Sequence, residues 1–170
     1  QAAAIKRGMR MFSNSGSASM GYDLPAAIGA FFGAVAQREV QKRVICLAGD
    51  GSIMMNIQEL QTVAQHRLPI KIFVLDNNGY LSIRSSQSNF FGRLAGAGPE
   101  SGVALPDFVA VARAFGIPAS HLNAADFPDK LVAILAAPGP QLCQVLLDEK
   151  QGFEPRTSSR QLDNGRIISA

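Results

Sequence analysis

Two apolar runs, each leading into a glycine-containing polar turn, constrain the fold of this chain more than any other feature. The run at residues 44–48 leads into Gly-Asp-Gly-Ser at 49–52, and the run at residues 70–75 is followed by Asn-Asn-Gly at 77–79. An amphipathic segment lies between them, which predicts a strand–helix–strand unit with parallel strands. Because the carboxyl ends of parallel strands meet at the edge where open α/β sheets bind ligands, we expect the two turns to lie together there.

The rest of the chain continues this alternation of strand-like and helix-like segments. The predicted strands are residues 43–48, 70–75, 117–122 and 142–147, and the predicted helices are residues 25–37, 56–66, 106–115 and 127–136. The segment at residues 77–105 is rich in Gly, Ser and Asn and is predicted to be an irregular loop next to the binding edge. This order of elements predicts the α/β class, with a doubly wound parallel sheet and helices on both faces.

The domain organisation follows from length and composition. We expect one α/β domain over residues 1–150 and a truncated C-terminal tail at residues 151–170, the whole being a fragment of a longer chain. The charged fraction is 17%, below the roughly 25% that is typical of soluble domains. Such a low density of charge predicts that part of the surface is covered by more of the same chain or by another subunit.

Composition also argues against several classes of protein. The net charge of +3 comes from scattered Lys and Arg without interleaved aromatic residues, which argues against nucleic-acid binding. The longest apolar segment, residues 24–36, is shorter than the roughly 20 residues that a membrane span needs. Cys46 and Cys143 each lie in a strand-like run, so we expect buried, reduced thiols and a cytoplasmic protein.

The two polar turns carry the chemistry that the sequence predicts. Asp50 and Asn77 offer side-chain oxygens, and Gly79 allows the backbone to approach a ligand closely. Such hard oxygen donors suit Mg²⁺ and a phosphate ester. Ser52 adds a hydroxyl and opens a helix whose amino end favours anions. Gly-Asp-Gly alone is also ordinary turn chemistry, so the prediction depends on its pairing with the second turn.

Four parts of the chain resemble a known family. Gly-Asp-Gly at 49–51 followed by Asn77 is similar to the cofactor signature of thiamine diphosphate enzymes. The wider resemblance is to the acetolactate synthase and 2-oxoacid decarboxylase branch and runs from about residue 16 to residue 147. The segments that support it are Ser-Met-Gly-Tyr-Asp-Leu-Pro-Ala-Ala-Ile-Gly at 19–29, Asn-Ile-Gln-Glu-Leu at 56–60, and Leu-Pro-Asp-Phe at 105–108 with Ala-Phe-Gly at 114–116. The resemblance implies the thiamine diphosphate-binding fold and a C-terminal, diphosphate-binding domain.

The resemblance also implies where Mg²⁺ and thiamine diphosphate bind. The metal would take side-chain oxygens of Asp50 and Asn77 and the carbonyl of Gly79, while Asn78 is not a ligand. Met20 matches the position of a large apolar side chain beneath the cofactor, although a plain core Met at a helix start is the alternative. The residues implied to bind the cofactor are Ala18, through its carbonyl, Ser19, Met20, Gly49, Asp50, Gly51, Ser52, Asn77, Gly79 and Tyr80.

Several positions depart from the family pattern. Asp23 stands where acetolactate synthases commonly have Gly, and its carboxylate is expected to cap the following helix. Ser86 falls where those enzymes carry a Trp, and Ile83 where pyruvate decarboxylases carry a catalytic Glu. The substrate therefore stays open. Arg84 is expected either to meet an anionic substrate or phosphate, or to be a solvated or interface residue.

The resemblance implies an enzyme whose chemistry is completed outside this segment. The activating Glu of such enzymes belongs to a separate pyrimidine-binding domain, so we expect no catalytic residue here and no activity of the segment alone. The implied reaction is decarboxylation of a 2-oxo acid and transfer of the acyl unit to a second carbonyl, in a homodimer or homotetramer. The alternatives are C–C cleavage of a non-decarboxylated ketone or dione, and a non-enzymatic nucleotide-binding, flavin-binding or regulatory module. The missing Gly-x-Gly-x-x-Gly opening argues against a nucleotide or flavin site.

Overall fold

A computed structural model describes residues 3–38, 43–151 and 159–169. Its centre is a four-stranded, fully parallel sheet with the strand order β1-β2-β4-β3. The strands are β1 (Val44–Gly49), β2 (Ile70–Asp76), β3 (Ala119–Leu122) and β4 (Gln141–Leu146). Strand β2 lies in the middle and is buried over its first five residues, which explains its nearly continuous apolar sequence.

Helices cover both faces of this sheet. The helices are α1 (Asp23–Ala36), α2 (Asp50–Ile53), α3 (Glu59–Gln65), α4 (Leu81–Phe90), α5 (Phe108–Ala114) and α6 (Phe127–Ala136). On one face, α1, α3 and α5 pack in a core around Ile72 and Leu142, and on the other face α6 packs Ile134 against Phe73 and Cys143. The predicted class, an α/β fold with a parallel sheet and helices on both faces, is confirmed.

Two predictions of local structure are wrong. Residues 77–105 are not irregular throughout, because they contain the ten-residue helix α4 and a 3₁₀ turn at Pro99–Ser101. The helix predicted at residues 56–66 is interrupted, because α2 and a 3₁₀ turn at Met54–Asn56 precede the shorter α3. Both segments lie at the carboxyl edge of the sheet, where contacts to neighbouring loops decide the backbone conformation.

The remaining described residues include a small antiparallel hairpin near the C-terminal end of the chain. Strands β5 (Ser159–Gln161) and β6 (Ile167–Ser169) pair antiparallel within the predicted tail, whose residues 152–158 lie outside the described part of the chain. Cys46 and Cys143 are buried free thiols, as predicted. Across residues 3–38, 43–151 and 159–169, no helix is both long and apolar enough to cross a membrane.

Candidate functional site

The two polar turns lie next to each other at the carboxyl edge of the sheet. Strands β1 and β2 run parallel in a register that pairs Gly49 with Leu75, so the residues that follow each strand are neighbours in space. The Oδ2 atom of Asp50 accepts hydrogen bonds from the backbone N–H groups of Asn77 (3.2 Å) and Gly79 (2.9 Å). The structure therefore brings together the three residues that the sequence predicted as metal ligands.

Asp50 is a buried carboxyl group whose surroundings favour a cation. Only 2% of the residue is exposed, and its Oδ1 accepts from the N–H of Gly51 at 2.7 Å. Burial raises the pKa of Asp50 and the neighbouring Asp76 carboxyl raises it further, although the N–H groups of Gly79 and Gly51 oppose the shift. A divalent cation between such groups would stabilise the ionised form that burial disfavours.

Asn77 leaves a buried oxygen without a partner. Its Oδ1 is buried and accepts no hydrogen bond. A buried acceptor without a donor costs about 1–3 kcal/mol, a cost that a bound ion or water at this atom would remove. Together with the Asp50 carboxylate and the backbone carbonyl of Gly79, it forms a set of hard oxygen donors of the kind that Mg²⁺ prefers. The described residues hold no cluster of three or more His, Cys, Asp or Glu, so this set is not an acidic cage.

The turn at 77–79 has an unusual backbone that separates its two Asn side chains. Asn78 has φ of +61° and Gly79 has φ of +135°, both in the left-handed half of backbone space. The carboxamide of Asn78 donates to Oε1 of Glu149 at 2.7 Å in an exposed position, and its N–H donates to Asp76. The side chain of Asn78 is thus hydrogen-bonded outside the buried site, and the expectation that it is not a metal ligand stays a prediction.

Two polar residues beneath the site were not predicted from the sequence. The Nε2 of Gln144, which is 5% exposed, donates to Oδ2 of Asp76 at 2.6 Å. Its Oε1 accepts from the N–H of Val109 at 3.3 Å, so the same side chain reaches the start of α5. A Gln inside the apolar strand 141–146 was the available signal, because a polar group buried in a sheet needs partners.

Tyr80 packs against the backbone of Gly51. A Cβ atom placed on Gly51 would lie 2.1 Å from a ring carbon of Tyr80. Any residue other than glycine at position 51 would therefore have to displace the ring. The N–H of Tyr80 donates to the carbonyl of Ala97 at 2.8 Å, which fixes the start of α4. Two of the predicted cofactor residues, Gly51 and Tyr80, are therefore in direct contact.

The loop before α1 is tied to α2 by a chain of hydrogen bonds. The Ser52 hydroxyl donates to Oδ2 of Asp23 at 2.5 Å and accepts from the N–H of Gly21 at 3.0 Å, and Asn56 donates to the carbonyl of Gly21 at 2.7 Å. Asp23 also accepts from the N–H of Leu24 at 2.8 Å, within the first turn of α1. Asp23, which departs from the family pattern, thus joins the start of α1 to α2 at the binding edge.

The predicted cofactor residues 18–20 lie in this same loop. Met20 is 43% exposed, so the alternative that it fills the core is wrong, and its role beneath a cofactor stays a prediction. Ala18 has φ of +49°, a conformation that costs a non-Gly residue about 1 kcal/mol or more. Backbone strain of this kind is frequent at ligand sites. Ser19, which lies between Ala18 and Met20, is exposed.

Comparisons with known proteins show which family this chain resembles. The family model described as the thiamine pyrophosphate enzyme C-terminal TPP-binding domain matches residues 1–145. The chain is 38% identical over 153 residues to the acetolactate synthase isozyme 2 large subunit of Escherichia coli (strain K12). The aligned region covers 89% of this chain and 27% of that protein. The chain is 36% identical over 148 residues to the acetolactate synthase large subunit of Cyanidium caldarium, covering 86% of this chain and 24% of that protein.

A solved structure shows the same fold. The thiamine diphosphate-dependent 4-hydroxybenzoylformate decarboxylase of Rhodococcus jostii RHA1 superposes with a TM-score of 0.63 at 32% sequence identity, over 79% of this chain and 24% of that one. This chain spans about a quarter of the length of each relative. The similarity therefore concerns one domain of larger proteins.

Proposed function

We propose a function from one premise, namely that this chain belongs to the thiamine pyrophosphate enzymes as their C-terminal TPP-binding domain. In the complete protein, the domain binds Mg²⁺ and the diphosphate of thiamine diphosphate. The complete protein is an acetolactate synthase-like enzyme that decarboxylates a 2-oxo acid and transfers the resulting acyl unit to a second carbonyl. The similarity to acetolactate synthase large subunits supports this choice of reaction.

The unpartnered Oδ1 of Asn77 is the observation that carries the proposed metal site. This oxygen is buried, and the turn that carries it is held by Oδ2 of Asp50 through the backbone N–H groups of Asn77 and Gly79. A turn held in this way is preorganised, because its oxygens need little rearrangement to accept a cation. Asp50, Asn77 and the carbonyl of Gly79 would hold the Mg²⁺.

Each part of the chain has a distinct task around the cofactor. When bound, thiamine diphosphate supplies the nucleophilic carbon and the electron sink for decarboxylation. The exposed Met20 would provide an apolar support beneath the cofactor, and the carbonyl of Ala18 would accept a hydrogen bond from the cofactor's amino group. Because the Ser52 hydroxyl proton is directed to Asp23, we assign Ser52 to the diphosphate through its backbone N–H. Tyr80, packed on Gly51, shapes the same wall.

Cofactor binding by the complete protein tests the domain assignment. Metal-free protein is mixed with thiamine diphosphate, with and without Mg²⁺, and the retained cofactor is measured after gel filtration. We expect retention only when Mg²⁺ is present. A failure to retain thiamine diphosphate at saturating Mg²⁺ would overturn the proposed function.

Product analysis then tests the reaction. The loaded protein is given a panel of 2-oxo acids, and NMR follows loss of substrate and formation of products. Coupled 2-hydroxy-ketone products would establish acyl transfer, whereas an aldehyde alone would indicate a simple decarboxylase, as in the name of the Rhodococcus relative. Turnover of a non-decarboxylated ketone or dione, with no turnover of 2-oxo acids, would replace this reaction by C–C cleavage.

A further inference from the structure

The guanidinium group of Arg84, on α4, lies behind the turn that is proposed to bind the metal. Its Nη2 donates to the carbonyl of Asn78 at 2.9 Å, and both Nη atoms lie 3.4 Å from the carbonyl of Asn77. Its Nη1 also donates to the carbonyl of Glu149 at 3.2 Å. One side chain therefore joins the turn after β2 to the segment after β4.

Glycines make room for this contact. A Cβ atom added to Gly79 would lie 3.1 Å from Nη2 of Arg84, and one added to Gly98 would lie 3.0 Å from it. The guanidinium is therefore packed between two stretches of backbone, and its Nε is buried without a hydrogen-bond partner. Its two Nη atoms hydrogen-bond backbone carbonyls, a contact that neither sequence-based expectation for Arg84 described.

The contacts of Arg84 and those of the proposed cation use different atoms of the same turn. Arg84 donates hydrogen bonds to the backbone carbonyls of Asn77 and Asn78. The proposed cation would instead be coordinated by Oδ1 of Asn77 and the carbonyl of Gly79. The planar guanidinium fork holds several acceptors in fixed directions, which the point charge of a Lys cannot do. Asn78 has positive φ, which is a less favoured backbone conformation for a non-Gly residue, and the fork joins the carboxylates of Asp50 and Asp76 in opposing relaxation of the turn.

We propose that Arg84 is a positioning residue that holds the 77–79 turn in its metal-binding conformation without touching cofactor or substrate. This inference rests on the proposed Mg²⁺–thiamine diphosphate site. Residues that orient metal ligands from behind commonly change metal affinity by about 10- to 100-fold when they are replaced. The expected effect of removing the guanidinium is therefore a loss of about tenfold or more in Mg²⁺ affinity.

The test compares three variants of the complete protein with the wild type. Arg84→Met removes the donors, Arg84→Lys keeps the charge without the fork, and Arg113→Met is the matched control. Arg113 donates to the carbonyl of Ala119 at 3.0 Å in an exposed position far along the chain from the site. Mg²⁺ affinity is measured directly in the presence of thiamine diphosphate, and hydrogen exchange reports the amides of Asn77 and Gly79.

We expect weaker Mg²⁺ binding and faster exchange of these two amides in both Arg84 variants, and no change in Arg113→Met. Excess Mg²⁺ should restore kcat to the Arg84 variants, because only the population of the competent turn is changed. If Arg84→Met does not fold, the Mg²⁺ affinity and amide exchange of Arg84→Lys alone test the positioning role.

Four results would overturn the assignment in distinguishable ways. Unchanged Mg²⁺ affinity with a raised KM for the 2-oxo acid would make Arg84 a substrate contact. Normal Mg²⁺ affinity in Arg84→Lys would show that charge alone is needed and that the fork has no positioning role. A wild-type protein that binds no Mg²⁺ would overturn the proposed function together with this inference, whereas normal binding by wild type and variants alike overturns only the role of Arg84.

Discussion

At the scale of single residues, the buried carboxyl of Asp50 offers a direct test of the proposed metal site. Asp50→Asn keeps the size of the side chain and removes its charge, so we expect a loss in Mg²⁺-dependent cofactor binding on the order of 3 kcal/mol. Because burial and Asp76 raise the pKa of Asp50, Mg²⁺ affinity of the wild type should begin to fall at a higher pH than an ordinary Asp would allow. Calorimetric titration of the complete protein from pH 8 to pH 5 measures both effects.

The matched control for this substitution is Asp129→Asn, at an exposed position in the first turn of α6. It removes the same charge far from the site and should leave Mg²⁺ binding unchanged. An Asp50→Asn protein with wild-type affinity for Mg²⁺ and thiamine diphosphate would contradict the metal assignment.

Gly51 and Tyr80 form a second residue-scale pair that can be tested. A methyl group on Gly51 would collide with the Tyr80 ring, and overpacking of this kind costs about 1–3 kcal/mol. Gly51→Ala should therefore lower the denaturation midpoint of the complete protein. The loss should be smaller when Tyr80→Ala is already present, since the colliding ring is gone. Additive effects in this double-mutant cycle would show that the two positions do not interact.

The sequence predicted the contacts of the candidate site that depend on local topology and missed those that depend on distant strands. Asp50 and Asn77 are 27 positions apart, and one strand–helix–strand unit suffices to bring them together. The bond between Asp76 and Gln144 spans 68 positions and requires the pairing of β2 with β4. The pairing of neighbouring strands was predictable, whereas the partner of an isolated polar residue in a distant strand was not.

At the scale of secondary-structure elements, α4 shows why the segment 77–105 was mispredicted. Its residues 81–90 contain four Ser and one Asn, which are poor helix formers. Tertiary contacts stabilise the helix instead, since the Gln87 carboxamide exchanges hydrogen bonds with the N–H (2.8 Å) and carbonyl (2.9 Å) of Ala95. The N–H of Tyr80 anchors its start on Ala97. Such contacts override weak intrinsic propensity and leave little trace in the local sequence.

The connection from α6 to β4 depends on one buried cation in β2. Lys71, which is 2% exposed, donates from Nζ to the carbonyls of Ala137 (2.6 Å) and Gly139 (2.7 Å). Lys71→Met keeps the apolar stem and leaves both acceptors unsatisfied, at about 1–3 kcal/mol each if they stay buried. We expect amides at the end of α6 to exchange faster in the complete protein, as measured by mass spectrometry.

Lys130→Met is the control for this prediction. Lys130 lies on α6, is exposed and forms an i,i+4 ion pair with Asp126. An exposed ion pair of this kind contributes about 0.5 kcal/mol or less to stability. Exchange in α6 should stay near that of the wild type. Equal exchange in the Lys71 and Lys130 variants would show that the buried amine does not secure the connection.

At the scale of the whole molecule, the two faces of the sheet are covered unequally. Cys46 in β1 is buried under the helices of one face, whereas Ile45 and Leu47, on the other face, are 48% and 60% exposed. Register places Leu47 beside Phe73, on the side where α6 packs, but α6 does not reach β1. An apolar edge strand left open to solvent favours aggregation, so natural proteins usually cover it.

We expect this face of β1 to be covered in the complete protein, because the relatives are about four times as long as this chain and its charged fraction is low. Leu47→Glu should then bury a charge without a partner and lower stability by about 2 kcal/mol or more. Gln61→Glu, at an exposed position on α3, introduces the same residue and should change stability by at most about 0.5 kcal/mol. Thermal midpoints of the complete protein under identical conditions compare the two, and equal midpoints would mean that Leu47 stays at the surface.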